Sequence, residues 1–217
     1  MSIKVDTIIK IKESKIVPVF YHSDLEVCKQ VVKACYEAGL KVFEFTNRGT
    51  FAHETFAALN RYVLEELPGF ELGAGSIVDA PTAALYMQNG ASFIVSPLLN
   101  AEIGKICNRR KIVWIPGCAT VTEIGNAHEL GADIIKIFPA AQLGGPEFVK
   151  AVKAPCPWTD IMVTGGVQPT EENLRSWFDA GVCSVGIGSA LFKKEWLEAG
   201  DFKKIKTAIS EAMAFIK

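Results

Sequence analysis

The sequence predicts an α/β fold, a closed (β/α)8 (TIM) barrel with a leading N-terminal helix, and three observations carry that reading. Eight short apolar, β-rich runs recur along the chain: Val17–Phe20, Val42–Phe45, Leu72–Ala74, Phe93–Val95, Ile112–Ile115, Ile134–Phe138, Ile161–Val163 and Ser184–Ile187. They follow one another about every 24 residues, the length that a strand, a helix and two short loops need. No hairpin signal joins them, so strands alternate with helices in a parallel sheet, and eight repeats favour closure over an open doubly wound sheet.

Each element has its own local reason. Residues before Lys15 read as a leading helix with Asp6 or Thr7 at its start. After the first strand, Ser23-Asp24 opens a helix whose apolar face is Leu25, Cys28, Val31, Val32 and Cys35. Gly39, Gly90, Gly131 and Gly181 each close a helix as left-handed caps just before the second, fourth, sixth and eighth strands, so the chain repeats in two-strand units. A last helix follows Asp201 and ends in Ala212-Met213-Ala214-Phe215-Ile216. No interdomain linker interrupts this order, and residues 1–217 read as a single domain.

Composition narrows the function. Of 217 residues, 49% are hydrophobic and 22% charged, and 23 basic against 24 acidic side chains leave a net charge of -1. A mean hydropathy of +0.22 fits a folded core, not a disordered chain. Near-neutrality supplies no broad positive field for nucleic acid or an anionic membrane, so an anionic ligand has to be met locally. The longest uncharged span, Ala80 to Ala101, is broken by Pro81, Gly90 and Pro97 and is not a membrane helix; the N-terminus lacks a secretory pattern. Cys28, Cys35, Cys107, Cys118, Cys156 and Cys183 form no close pairs, which points to a reduced, cytoplasmic compartment. His22, His53 and His128 have no metal-ligand spacing, so no metal is expected, and the four tryptophans read as core or interface residues.

In a barrel the chemistry sits at the C-terminal strand ends. Two charges fall inside strands, Glu44 in Val42-Phe43-Glu44-Phe45-Thr46 and Lys136 in Ile134-Ile135-Lys136-Ile137-Phe138. Strand alternation turns the flanking Phe and Ile residues outward and both charges inward, from strands that face each other across the axis. A buried ion pair seldom repays its desolvation, which favours a chemical role over a structural one. An amine in an apolar cavity loses its proton more easily and becomes a nucleophile toward ketones, with a nearby carboxylate as proton carrier.

Around this pair, Arg48 in Thr46-Asn47-Arg48-Gly49 sets a cation at the mouth, suited to a carboxylate. Gly73-Ala74-Gly75-Ser76 brings backbone and a hydroxyl close to a ligand. Thr164-Gly165-Gly166 and Gly186-Ile187-Gly188-Ser189-Ala190-Leu191 follow the seventh and eighth strands, where barrels bind phosphate on backbone N–H groups.

These stretches, with Val95-Ser96-Pro97, Ile115-Pro116-Gly117-Cys118-Ala119-Thr120, Lys136-Ile137-Phe138-Pro139-Ala140 and Thr164-Gly165-Gly166-Val167, resemble the 2-keto-3-deoxy-6-phosphogluconate (KDPG) / 4-hydroxy-2-oxoglutarate (KHG) aldolases over nearly the whole chain. The resemblance implies Lys136 as the Schiff-base lysine and Glu44 as the general acid/base. It implies Arg48 and Ser76 on the keto-acid carboxylate, Pro97 and Phe138 as walls of the pyruvyl pocket, and Thr164 near the substrate's C4. Gly165, Gly166, Gly188 and Ser189 would hold the phosphate. It further implies a homotrimer that needs no metal or organic cofactor. Ser76 stands where Thr is usual and keeps the hydroxyl; Leu98 and Gln142 also differ from the common pattern. The expected activity is class I cleavage of KDPG to pyruvate and glyceraldehyde 3-phosphate, with the phosphogalactonate epimer and KHG as alternative substrates. A sugar-phosphate isomerase or epimerase, and a non-catalytic phosphosugar sensor, are the rival readings.

Overall fold

A computed structural model describes residues 3–216. Helix α1 (Ile3–Ser14) leads into β1 (Ile16–Phe20), α2 (Leu25–Glu37), β2 (Val42–Thr46), α3 (Ala52–Glu66), β3 (Glu71–Gly75), α4 (Ala80–Gln88) and β4 (Phe93–Val95). The chain continues through α5 (Ala101–Arg110), β5 (Val113–Ile115), β6 (Gly117–Cys118), α6 (Val121–Glu129), β7 (Ile134–Ile137) and α7 (Gly145–Lys153). It ends with β8 (Asp160–Thr164), α8 (Glu171–Asp179), β9 (Ser184–Ile187), α9 (Lys194–Glu198) and α10 (Phe202–Ala214).

All strand pairs are parallel, in the order β5-β4-β3-β2-β1-β9-β8-β7-β6. The two ends of that order, β5 and β6, are halves of one segment separated by Pro116. The sheet is therefore a barrel with eight strand positions, as expected, whose fifth strand is split. Proline has no N–H to give a ladder, so pairing changes sides there: β5 pairs with β4, and β6 pairs with β7. The Pro116 carbonyl still accepts from Lys136 N at 2.9 Å. The expected strand at Ile112–Ile115 is thus only half of what this position holds.

The caps follow the sequence. Asp24 accepts hydrogen bonds from Glu26 N and Val27 N at the start of α2, and Asp201 accepts from Lys204 N at the start of α10. Gly39, Gly90, Gly131 and Gly181 all have φ between 81° and 98°, the left-handed region they were expected to supply. Helix α1 is already formed by Ile3, so Asp6 and Thr7 are not its start; Asp6 lies in its first turn, where a carboxylate suits the helix dipole.

Packing divides into two layers. Outward side chains such as Phe43, Phe45, Ile135 and Ile137 meet the helices, including Cys28, Val31, Val32 and Cys35 of α2. Inside the barrel, Val17, Val42, Phe93, Val95, Val113, Ile115, Ile134 and Met162 form a second cluster, with Ile11 of α1 closing the N-terminal end. Trp114 and Trp177 are core, whereas Trp158 is 70% exposed and is not. Among the described residues no helix is long and apolar enough to cross a membrane.

Candidate active site

Glu44 and Lys136 occupy the inward positions of β2 and β7, above the apolar filling. Glu44 is 1% exposed and Lys136 5%, yet no ion pair within 4.0 Å joins them, and Glu44 Oε2 has no hydrogen-bond partner among the described residues. This is not the geometry of a pair that braces the barrel. Lys136 Nζ stands 4.9 Å from the centre of the Phe138 ring, an apolar wall beside the amine. Burial holds Lys136 below the ordinary lysine range, and Arg48 adds to that while Glu44 opposes it. Burial also pushes the Glu44 carboxyl above the usual carboxylate range, against the pull of Lys136 and Arg48.

Strand β3 makes the room for this arrangement. Its inward positions are Gly73 and Gly75, while Leu72 and Ala74 face the helices. A Cβ on Gly75 would lie 1.8 Å from Glu44 Oε1, and one on Gly73 would lie 2.3 Å from the Phe93 ring. Glycine is needed at both places because other side chains occupy the space.

At the rim, Arg48 Nε donates to Ser76 Oγ at 3.4 Å, which joins two of the expected carboxylate contacts. The turn carrying Arg48 is pinned on both sides of Asn47. Its N–H donates to Gly75 O at 2.8 Å, and its Oδ1 accepts from the Tyr86 hydroxyl at 2.9 Å. Across the barrel, Thr164 Oγ1 is buried without a partner and fills the space that a side chain at Gly186 would take, 2.4 Å from such a Cβ. Gly165 and Gly166 have φ of 97° and 83°. The carbonyls of Thr164 and Gly165 accept from Ala140 and Ala141, while the N–H groups of Gly165, Gly166, Ser189 and Ala190 donate to no group among the described residues. Donors left free in this way suit an anion with several oxygens.

A cavity of about 520 Å³ opens over these groups. Arg48, Phe138, Thr164, Gly165, Gly166, Gly188 and Ser189 line it, with Glu44 and Lys136 buried in the barrel and Ser76 tied to Arg48. Pro97 stays off the lining; its carbonyl lies 2.3 Å from where a Cβ on Gly117 would be, and Gly117 is the register partner of Lys136. A larger groove of about 830 Å³ lies at the N-terminal end of the barrel, where four of the lining charges pair with one another, Lys10 with Glu71 at 2.6 Å and Lys41 with Glu13. None of the side chains singled out for chemistry reaches it. No cluster of three metal-ligating side chains occurs among the described residues.

The KDPG and KHG aldolase family model matches residues 7–208. The chain belongs to the KDPG and KHG aldolase family. It is 36% identical over 148 residues to the 2-dehydro-3-deoxy-6-phosphogalactonate aldolase of Escherichia coli (strain K12), covering 67% of each chain. To the KHG/KDPG aldolase of the same organism it is 31% identical over 199 residues, 91% of this chain and 90% of that one. The fold is similar to the crystal structure of the KDPG aldolase of Legionella pneumophila with pyruvate captured at low pH as a covalent carbinolamine intermediate. That match has a TM-score of 0.83 and 25% identity, and covers 93% of this chain and 95% of that one.

Among the residues that line the cavity of this aldolase-family barrel and that sequence reasoning missed are Tyr21, Thr46, Gln168 and Phe192. Position at a strand end was the available signal for Thr46, which ends β2, and for Tyr21, the first residue after β1. Gln168 lies two residues beyond Gly166. Phe192 carried no signal, because tertiary packing on Phe20 and Phe43, with ring centres 4.9 and 6.3 Å away, brings it to the wall.

Proposed function

We propose that this family member is a class I aldolase in which Lys136 is the nucleophile and Glu44 the proton carrier, acting on a 2-keto-4-hydroxy acid. The observation that supports it most directly is the separation of two buried, oppositely charged groups that do not pair, below a cavity with Arg48 and Ser76 at one side and free backbone N–H groups at the other.

The chemistry follows from their states. The Lys136 amine, kept neutral more easily by burial, adds to the C2 ketone; the carbinolamine loses water and becomes an iminium. Arg48 and Ser76 hold the C1 carboxylate. Glu44 takes the C4 hydroxyl proton as the C3–C4 bond breaks, and the electron pair moves into the iminium, giving an enamine and a free aldehyde. Protonation at C3 and attack by water then release pyruvate and restore the amine. Thr164 donates near C4, Pro97 and Phe138 flank the pyruvyl group, and Gly165, Gly166, Gly188 and Ser189 receive the phosphate. KDPG is the favoured substrate, giving glyceraldehyde 3-phosphate; the similarity to a phosphogalactonate aldolase supports its epimer as the second reading.

Borohydride reduction with pyruvate tests this. A three-carbon adduct on Lys136, found by peptide mass and absent in Lys136→Ala, is the expected result; a wild-type protein without it sinks the proposal. We also infer one domain over residues 1–217 and a cytoplasmic homotrimer. The exposed apolar side chains Phe51, Val78 and Leu98, in loops that follow β2, β3 and β4, and Val121, which opens α6 after β6, support assembly, and six free cysteines support a reducing compartment. Light scattering should return about three times 23.6 kDa.

A further inference from the structure

The cavity wall between the carboxylate end and the phosphate end is formed by β1, which stands between β9 and β2 in the sheet. Along that wall Val19, Phe20 and Phe192 are apolar, and Tyr21 adds a hydroxyl. Its ring is fixed edge-on to Phe45, with centres 5.6 Å apart, and the hydroxyl rests against the backbone of Gly49, 1.9 Å from where a Cβ there would lie. Gly49 follows Arg48, so the phenol packs against the turn that carries the cation. Its oxygen has no hydrogen-bond partner among the described residues, in contrast to Thr46, whose Oγ1 donates to Phe20 O at 3.4 Å. Three residues lining the cavity carry hydroxyls without partners among the described residues, Thr164 on β8, Ser189 after β9 and Tyr21 just after β1.

We infer that Tyr21 is a specificity-determining residue: its phenol hydrogen-bonds a hydroxyl of the aldehyde-derived fragment beyond C4, so that the site prefers polyhydroxylated, sugar-acid chains to chains without hydroxyls there. The inference rests on the aldolase reading above, which gives the cavity its direction. With the carboxylate on Arg48 and the phosphate on the loops after β8 and β9, the stretch of chain passing β1 is the hydroxyl-bearing middle of the substrate. Thr164 serves C4, and Tyr21 serves the carbons that follow. Its contribution is discrimination: a substrate without the hydroxyl leaves the phenol unpaired in an apolar wall, whereas one with it completes the bond.

The test runs in the condensation direction with pyruvate and either glyceraldehyde or propanal, two aldehydes of equal carbon number that differ in hydroxyls and carry no phosphate. Tyr21→Phe keeps the ring and its contact with Phe45. The ratio of kcat/KM for glyceraldehyde to that for propanal should fall about fivefold in Tyr21→Phe, the size of one neutral hydrogen bond. An unchanged ratio, with the pyruvate adduct on Lys136 still trapped by borohydride in both proteins, overturns the role of Tyr21 and leaves the aldolase reading standing. Absence of that adduct in the wild-type protein overturns the aldolase reading and this inference with it.

Discussion

Replacing Gly75 by alanine should disable Glu44 without unfolding the barrel. The new methyl would start 1.8 Å from Glu44 Oε1, 2.5 Å from its Cδ and 2.7 Å from its Cγ, so the carboxylate must retreat by about 1.6 Å to reach an ordinary 3.4 Å contact. The backbone at Gly75 does not need glycine, since it is absent from the positive-φ glycines. What moves is the end of one flexible side chain, and the stability cost should stay near about 1 kcal/mol. Catalysis is less forgiving: a displacement of this size costs on the order of 10²-fold in rate, about 2.7 kcal/mol of transition-state stabilisation. Pyruvate release in a coupled assay gives kcat, and calorimetry checks the fold. The argument predicts strong non-additivity, because Gly75→Ala acts only through the carboxylate and should do little more in a Glu44→Gln background. Independent losses from the two substitutions, or a Gly75→Ala enzyme within about threefold of wild-type kcat, would refute it.

Two further outcomes follow from the same geometry. Glu44 opposes the fall in the Lys136 pKa, so Glu44→Gln should lower that pKa further and move the acid limb of pyruvate adduct formation to lower pH; a fixed or upward-moving limb contradicts the coupling. Gly117→Ala contrasts with Gly75→Ala, since its Cβ would lie 2.3 Å from the Pro97 carbonyl oxygen and 2.8 Å from Leu98 N, which are backbone atoms. It should lower the melting temperature by several degrees, about 2–4 °C per kcal/mol for a chain of this size, and an unchanged melting curve would show that the fifth strand yields there.

How much of this was legible depended on whether a residue acts through local pattern or through distant packing. Alternation along Val42–Thr46 and Ile134–Phe138 was enough to turn Glu44 and Lys136 inward, because period two leaves no other choice once Phe43, Phe45, Ile135 and Ile137 seek the helices. The helix-closing glycines were readable for the same local reason. Pro116 was visible as a residue, but its effect was not, since a split strand depends on which neighbour each half meets. Gly73 and Gly75 read as places where backbone comes close to a ligand, whereas they yield volume to Phe93 and to Glu44 from neighbouring strands. Tyr21 carried only its place beside a strand end, and Phe192 was silent because nothing in its own segment marks it as facing a ligand.

The split fifth strand has a consequence for how copies of this chain can meet. Because the two ends of the sheet are halves of one segment, neither offers a free row of donors and acceptors on which another chain's strand could grow. Association is left to side chains, and Phe51, Val78, Leu98 and Val121, in or next to the loops that follow strands, are exposed on the cavity side of the barrel. A neighbour seated there would stand at the substrate's doorway, so a change in assembly would be felt first as a change in entry and release.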